Sequence, residues 1–280
     1  MDERWQPLLV NNPAIDETVI FPREKFRGLA GSLKSIPWAL QLGKIHADTA
    51  LDLQGLLRSS LMAKFSGASQ IVGLADAREG ASWFYDKVTP VTPGEHSVFR
   101  YLRSLEVLGL PANEVPEFPL PAGTKPEQAP TDRSFALLHP FARGGGKSLS
   151  HKHVTELCRA LHPHTVVLAG VGKMGGELPG NVVNLLNLTS ISEMIWLIRA
   201  AAFVVSVDSG PMHIAAAVNP RLLSIHTWSD PRLVGPFSDH AWIWQGGGIR
   251  SQQFGGEIPP PRSPTDEDIA LIAGWVREQI

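Results

Sequence analysis

Between residues 135 and 226, short apolar runs alternate with stretches of helical spacing, and this alternation narrows the fold of the 280-residue chain more than any other feature. FALLHPF (135–141), HTVVLAG (164–170), FVVSV (203–207) and RLLSIH (221–226) each have the length and side-chain branching of a buried strand. Between them lie SHKHVTELCRAL, SISEMIWLIRAA and a small-residue stretch that opens near Pro211. Strands that alternate with helices build right-handed βαβ units and therefore a parallel sheet. Ser190, with Glu193 three residues on, marks a capped helix start. Thr265 is placed to cap an amphipathic closing helix, TDEDIALIAGWVREQI.

The first half repeats the pattern less completely. ETVIFP (17–22), TALDLQG (49–55) and QIVGL (70–74) read as short strands, too few to close a doubly wound domain. Six prolines between residues 110 and 134 deny that stretch a helix or an inner strand. The expected division is a first domain over 1–115, a Pro-rich linker over 116–133 and a second domain over 134–280.

Composition removes several functions. The net charge is −2 and the basic residues are scattered, which argues against nucleic-acid binding through clustered phosphate contacts. One cysteine, Cys158, cannot form an internal disulfide and fits a reducing compartment. Its helical spacing with Leu157 and Leu161 places it in the core. No apolar run approaches the ~20 residues that span a bilayer. MDERWQPLL lacks the basic-then-apolar layout of a secretion signal, so a cytoplasmic protein is expected.

The chemistry concentrates in VVSVDSGPMHIAAA (204–217). In a parallel sheet, ligands sit outside the carboxyl ends of the strands, where Asp208 is expected. Gly210 permits a tight turn, and Pro211 suits a first helical turn, whose N–H groups lack partners. The amides of residues 209–213 and the helix dipole would favour an anion, with His213 within reach. The loop is built to hold a phosphate, with Asp208 beside it for a sugar hydroxyl.

Residues 203–240 resemble the nucleotide-sugar-binding segment of glycosyltransferase family 9, the ADP-heptose:lipopolysaccharide heptosyltransferases. Asp208, Ser209, Gly210 and His213 stand in order, followed by Ser229-Asp230-Pro231 and Gly235-Pro236-Phe237. Upstream, LLHPFARGGGKSLSHKHVTEL resembles the family's first C-terminal strand, loop and helix, and Lys147 falls on the lysine that meets the sugar donor's phosphate. Two positions depart from the family: Arg143 and glycines stand where a hydroxyl residue precedes that lysine, and Leu149 stands where a tryptophan follows. NLTSISEM (187–194) resembles the turn beside the adenine, with Thr189 lining the base. LDLQGLLRSSLMAKFSGA (51–68) and AREGASWFYDKV resemble heptosyltransferase I more narrowly, and place Arg58 and Arg78 at basic acceptor positions.

The resemblance implies a GT-B fold, two Rossmann-like domains with a central cleft, the N-terminal one incomplete. It implies inverting, metal-independent transfer of heptose from ADP-heptose, or a related nucleotide sugar, to Kdo-lipid A at the inner membrane surface. No cofactor and no metal is implied; His151 and His153, two apart, are poorly spaced as helical ligands. Family members open with a strand and a S-x-G-D loop carrying the catalytic base, and this chain contains no Gly-Asp pair. The catalytic residue is therefore unknown, with Asp52 and Asp76 as fallbacks, and Met1 is expected to be an internal start of a longer protein. The first sheet is then expected to expose strand edges. The alternative is a catalytically impaired nucleotide-sugar binder. A remote third reading takes FARGGGKS (141–148) as a P-loop, although Phe141 stands where that motif needs glycine.

Overall fold

A computed structural model describes residues 1–26, 28–112, 116–130, 134–252 and 254–280, with the backbone alone for 29–34. The expected linker's residues 131–133, and residues 113–115 at the end of the expected first domain, lie outside the described residues. Two compact units emerge, Met1–Glu3 with Val19–Pro116 and Arg4–Thr18 with Glu117–Ile280. Residues 4–18 belong with the second unit: Leu8 packs against its core, and the Asn12 amide donates to the Pro119 carbonyl at 3.4 Å.

Unit 1 contains α1 (Gly28–Gln41), β1 (Thr49–Asp52), α2 (Leu57–Phe65), β2 (Gln70–Leu74), β3 (Lys87–Thr89) and α3 (Ser97–Val107). Its three strands are parallel in the order β1-β2-β3. The run 17–22 forms no strand; only Phe21 makes an isolated bridge, to Asp2. That run is a correction to the sequence expectation, because Pro22 removes an amide donor and, among the described residues, no neighbouring strand continues the ladder beyond the Phe21 bridge. Strand β1 is open on one side among the described residues, with Thr49 and Leu51 exposed.

Unit 2 carries β4 (Phe135–His139), α4 (His151–Ala160), β5 (Thr165–Gly170), β6 (Val182–Leu186), α5 (Ile191–Ala200), β7 (Phe203–Val207), α6 (Gly210–Val218), β8 (Leu222–Ile225), α7 (Pro231–Val234), β9 (Trp242–Gln245), β10 (Gly248–Ser251) and α8 (Asp266–Arg277). The sheet order is β10-β9-β8-β7-β4-β5-β6, parallel throughout except the β9–β10 hairpin. That hairpin turns on Gly246 and Gly247, whose φ values of 62° and 102° are the left-handed values a two-residue turn requires.

Alternate residues of each strand face opposite layers. Leu138, Leu168, Val205, Leu223 and Ile225 pack with Val154, Leu157 and Cys158 of α4 and Ile269, Ile272 and Val276 of α8. Leu137, Val167, Val204 and Leu222 pack with Ile195 and Ile198 of α5 and Met212 and Ala215 of α6. With both faces covered, the strands read as unbroken apolar runs, which is why they stood out in the sequence. Burial pushes the Cys158 thiol up to about 12, so it acts as a core apolar group. Trp244 is fully buried, and Trp242 tilts against Trp275 of α8 at 5.1 Å.

Both expected helix starts form reciprocal caps, Ser190 with Glu193 and Thr265 with Asp268. Asp268 also takes Arg262 on both oxygens, at 2.5 and 3.0 Å, and these bonds hold its carboxyl down at about 2 against an ordinary 3.8. A depressed carboxyl stabilises the fold above pH 3.8 and loses that contribution as pH falls towards 2. Asp268→Ala should therefore lower the unfolding free energy by about 2 kcal/mol at pH 7. Urea denaturation should show the gap between variant and parent closing near pH 2.

Candidate functional site

Strands β4, β5 and β6 run outward to one side of the sheet and β7, β8 and β9 to the other, so the order reverses between β4 and β7. Crevices open at such a reversal, beyond the carboxyl ends of the strands. The chain places polar groups there: His139 ends β4, Asp208 and Ser209 follow β7, and His226 follows β8. The loop after β4 brings Lys147 across to Asp208, with Nζ 2.6 Å from Oδ2. Gly144 and Gly146 take φ values of 101° and 80° in this loop, and the Thr227 hydroxyl donates to the Gly146 carbonyl. Lys147 also lies 5.3 Å from the ring centre of Trp228, an exposed aromatic.

Burial by itself would raise the Asp208 carboxyl. The Lys147 ammonium, with the Ser229 hydroxyl, overcomes that and holds it below the ordinary carboxylate range. His226 is gripped on both ring nitrogens, by Ser229 at 3.0 Å and Ser224 at 3.1 Å. His139 meets the Ser209 hydroxyl at 3.1 Å. Burial pushes both histidines down to about 4, so near neutral pH Lys147 is the cation among these three groups.

Helix α6 starts at Gly210, which is exposed, as is His213. The sequence predicts open amides over 209–213. Met212 instead donates to the Ser209 carbonyl at 3.1 Å, because the first turn tightens, while Ser209 and Gly210 N–H have no partner among the described residues. Thr189 is half-buried in the turn after β6, whose Asn187 (φ 61°) accepts from Gly172 N–H and donates to its carbonyl. Both loops leave carboxyl ends of the same sheet. The Asp230 carboxylate caps α7 through Arg232 N–H at 2.9 Å, and a Cβ at Gly235 would lie 2.3 Å from the Pro231 carbonyl oxygen. The downstream motif residues Asp230 and Gly235 therefore shape the loop.

In unit 1, Arg58 is exposed beside a cavity of about 520 Å³ lined by Phe21, Phe26, Trp38, Leu61, Met62 and Phe65, among others. Its guanidinium lies 5.4 Å from the Phe21 ring centre. Arg78 is exposed, and its N–H donates to the Gly55 carbonyl at 2.8 Å. Neither fallback base is unengaged. Asp52 accepts from Gln54 and Gly55 N–H and from the Tyr85 hydroxyl at 2.7 Å, and Asp76 pairs with Arg100 at 3.1 Å.

His153, Glu156 and Asp266 gather their ligand atoms within 4.8 Å. Lys152 already neutralises this cluster, 2.5 Å from Asp266 and 3.7 Å from Glu156. Lys147 and Ser148 precede the start of α4 at His151, which Ser150 caps. They are therefore not in a first helical turn, where a P-loop places its Lys-Ser pair.

His139, His226 and Trp228 were not among the expected site residues. A polar residue closing the apolar run FALLH, at a strand's carboxyl end, was the available signal for His139.

Polar groups gathered at the switch point of a parallel sheet, before a helix whose first two amides are open, form the arrangement at which α/β folds receive anionic ligands. The model of glycosyltransferase family 9 (heptosyltransferase) matches residues 38–254, and the chain belongs to that family. It is 27% identical over 260 residues to lipopolysaccharide heptosyltransferase 1 of Pseudomonas aeruginosa, covering 85% of this chain and 71% of that protein. It is 34% identical over 113 residues to lipooligosaccharide heptosyltransferase 2 of Haemophilus influenzae, covering 36% of this chain and 33% of that protein. The match thus spans about a third of the Haemophilus protein's length. The solved E. coli ADP-heptose lps heptosyltransferase II superposes with a TM-score of 0.73 at 21% identity, over 99% of this chain and 86% of that one. The α/β units are of the Rossmann-like GT-B type.

Imidazole NMR should find His139 and His226 uncharged at pH 5.5 and titrating near 4. The unfolded chain takes up those protons near 6.5, so stability should fall as pH drops below that value towards 4.

Proposed function

We propose that this chain is a glycosyltransferase that moves heptose from ADP-heptose, or a related nucleotide sugar, to the Kdo-lipid A inner core of lipopolysaccharide. One observation carries the sugar-donor side of this reading. The Lys147–Asp208 ion pair stands at the switch point, directly before the unpartnered Ser209 and Gly210 amides of α6. A diphosphate arriving there takes the Lys147 ammonium and the α6 dipole, which frees the Asp208 carboxylate to accept from the heptose hydroxyls. Thr189, in its turn beyond β6, lines the base, and His213 reaches the phosphates.

Transfer proceeds by attack of an acceptor hydroxyl oxygen on the anomeric carbon. The carbon–oxygen bond to ADP breaks, the configuration inverts and a base takes the hydroxyl proton. Charge grows on the departing diphosphate, where Lys147 and the helix amides stabilise it without a metal. Unit 1 serves the acceptor, with Arg58 and Arg78 holding its acidic groups. The engagement of Asp52 by Tyr85 and of Asp76 by Arg100 favours a second reading, a binder of nucleotide sugars that does not transfer them.

Calorimetry with ADP in EDTA tests the first part. The chain should bind, and Lys147→Ala should weaken binding by about tenfold, the scale of one charge-assisted contact. Equal affinity in the variant would overturn the site. Incubation with ADP-heptose and Kdo-lipid A separates the two readings, since ADP release and a heptosylated product support transfer and binding without product supports the binder.

A further inference from the structure

We infer that His139 is a positioning residue for the sugar donor: its ring holds the Ser209 hydroxyl against the strand ends and so keeps Ser209 from capping helix α6. The inference rests on the proposed sugar-donor site and adds a residue that the proposal does not use.

Ser209 occupies the N-cap position of α6 with extended backbone (φ −163°, ψ 171°), yet its side chain makes no capping bond. Its hydroxyl lies 3.1 Å from His139 Nδ1, 3.0 Å from the Val207 carbonyl oxygen and 3.3 Å from the Ser206 hydroxyl. The hydroxyls of Ser150, Ser190 and Thr265 all accept from the third N–H of their own helices, at 3.1, 3.2 and 3.3 Å. Pro211 has no N–H, so a capping Ser209 hydroxyl would have to draw the Met212 amide away from the Ser209 carbonyl, its acceptor at 3.1 Å. A serine oxygen in that position stands at the mouth of the helix, where a phosphate oxygen would otherwise accept.

His139 is well placed to prevent that rotation. It is buried at the end of β4, and Gly170 lies flat against it: a Cβ there would sit 2.6 Å from both Cδ2 and Nε2 of the ring. Gly170 has φ 119°, a backbone conformation open to glycine. The packed ring therefore keeps Nδ1 aimed at Ser209. Burial keeps the ring neutral, and a neutral imidazole can meet a hydroxyl as donor or acceptor.

A double-mutant cycle read by ADP calorimetry on the full chain tests this. His139→Leu should weaken ADP binding by about five- to tenfold, the scale of one recovered helix cap. His139→Asn, which keeps a polar atom near Nδ1, should restore most of the affinity. Whatever Ser209→Ala does alone, adding His139→Leu to it should change nothing further, because no hydroxyl remains to cap the helix. A His139→Leu loss that persists undiminished in the Ser209→Ala background would overturn the inference, as would unchanged binding in His139→Leu or no recovery in His139→Asn. Absence of ADP binding by the parent chain would overturn the sugar-donor site itself, and this inference with it.

Discussion

The pairing of β4 with β7 is the constraint from which the rest of unit 2 follows. The two strands are 64 or more residues apart in sequence, yet their ladder runs from Ala136 opposite Phe203 to His139 opposite Ser206. Parallel strands cannot be joined by a tight turn, so each needs a covered crossover. Here the crossovers leave in opposite directions from this one pair. The loops after β4 and β7 therefore part at the same end of the sheet, and the polar residues that close each strand face a shared crevice. Lys147 and Asp208 meet because of that ladder.

Charge at the crevice is arranged economically. Two histidines are buried deeply enough to stay neutral, and each is satisfied by serine hydroxyls. A buried imidazole without such partners would carry a desolvation cost with nothing to offset it. That leaves Lys147 and Asp208 as a matched ion pair, the one that the proposed function has an incoming diphosphate open. The α6 terminus adds a fixed positive dipole that needs no counter-ion. In the proposed transfer, the charge growing on the departing diphosphate would meet groups already fixed in place.

Unit 1 is organised around different forces. Its sheet is short, and Phe21, Phe26 and Trp38 cluster edge-on or tilted, with centroids 5.2 to 6.0 Å apart. Asp52 spends its carboxylate on the turn after β1 and on Tyr85, and burial together with that carboxylate pushes the Tyr85 phenol up. Gly73 leaves room for the same tyrosine, since a Cβ there would lie 2.1 Å from the ring. Asp52 thus fastens a turn to a strand.

The sequence alone determined the strands β2, β4, β5, β7 and β8, the caps at Ser190 and Thr265, and the loop from Asp208 to His213. These are local: hydrophobic period, cap chemistry and a Gly-Pro turn act over a few residues and leave a mark wherever they occur. It did not disclose β3, a strand of three residues, or β6 and β9, whose pairing decides their conformation more than their composition does. It misjudged ETVIFP, whose pattern fits a strand but whose ladder, among the described residues, stops at the single Phe21–Asp2 bridge. Tertiary structure alone decided that Lys147 would pair with Asp208, that His139 would hold Ser209, and that residues 4–18 would join unit 2. Each of these joins residues at least 60 apart in sequence or depends on a fold-wide surface, and no local rule can encode a contact whose existence depends on which strands lie side by side.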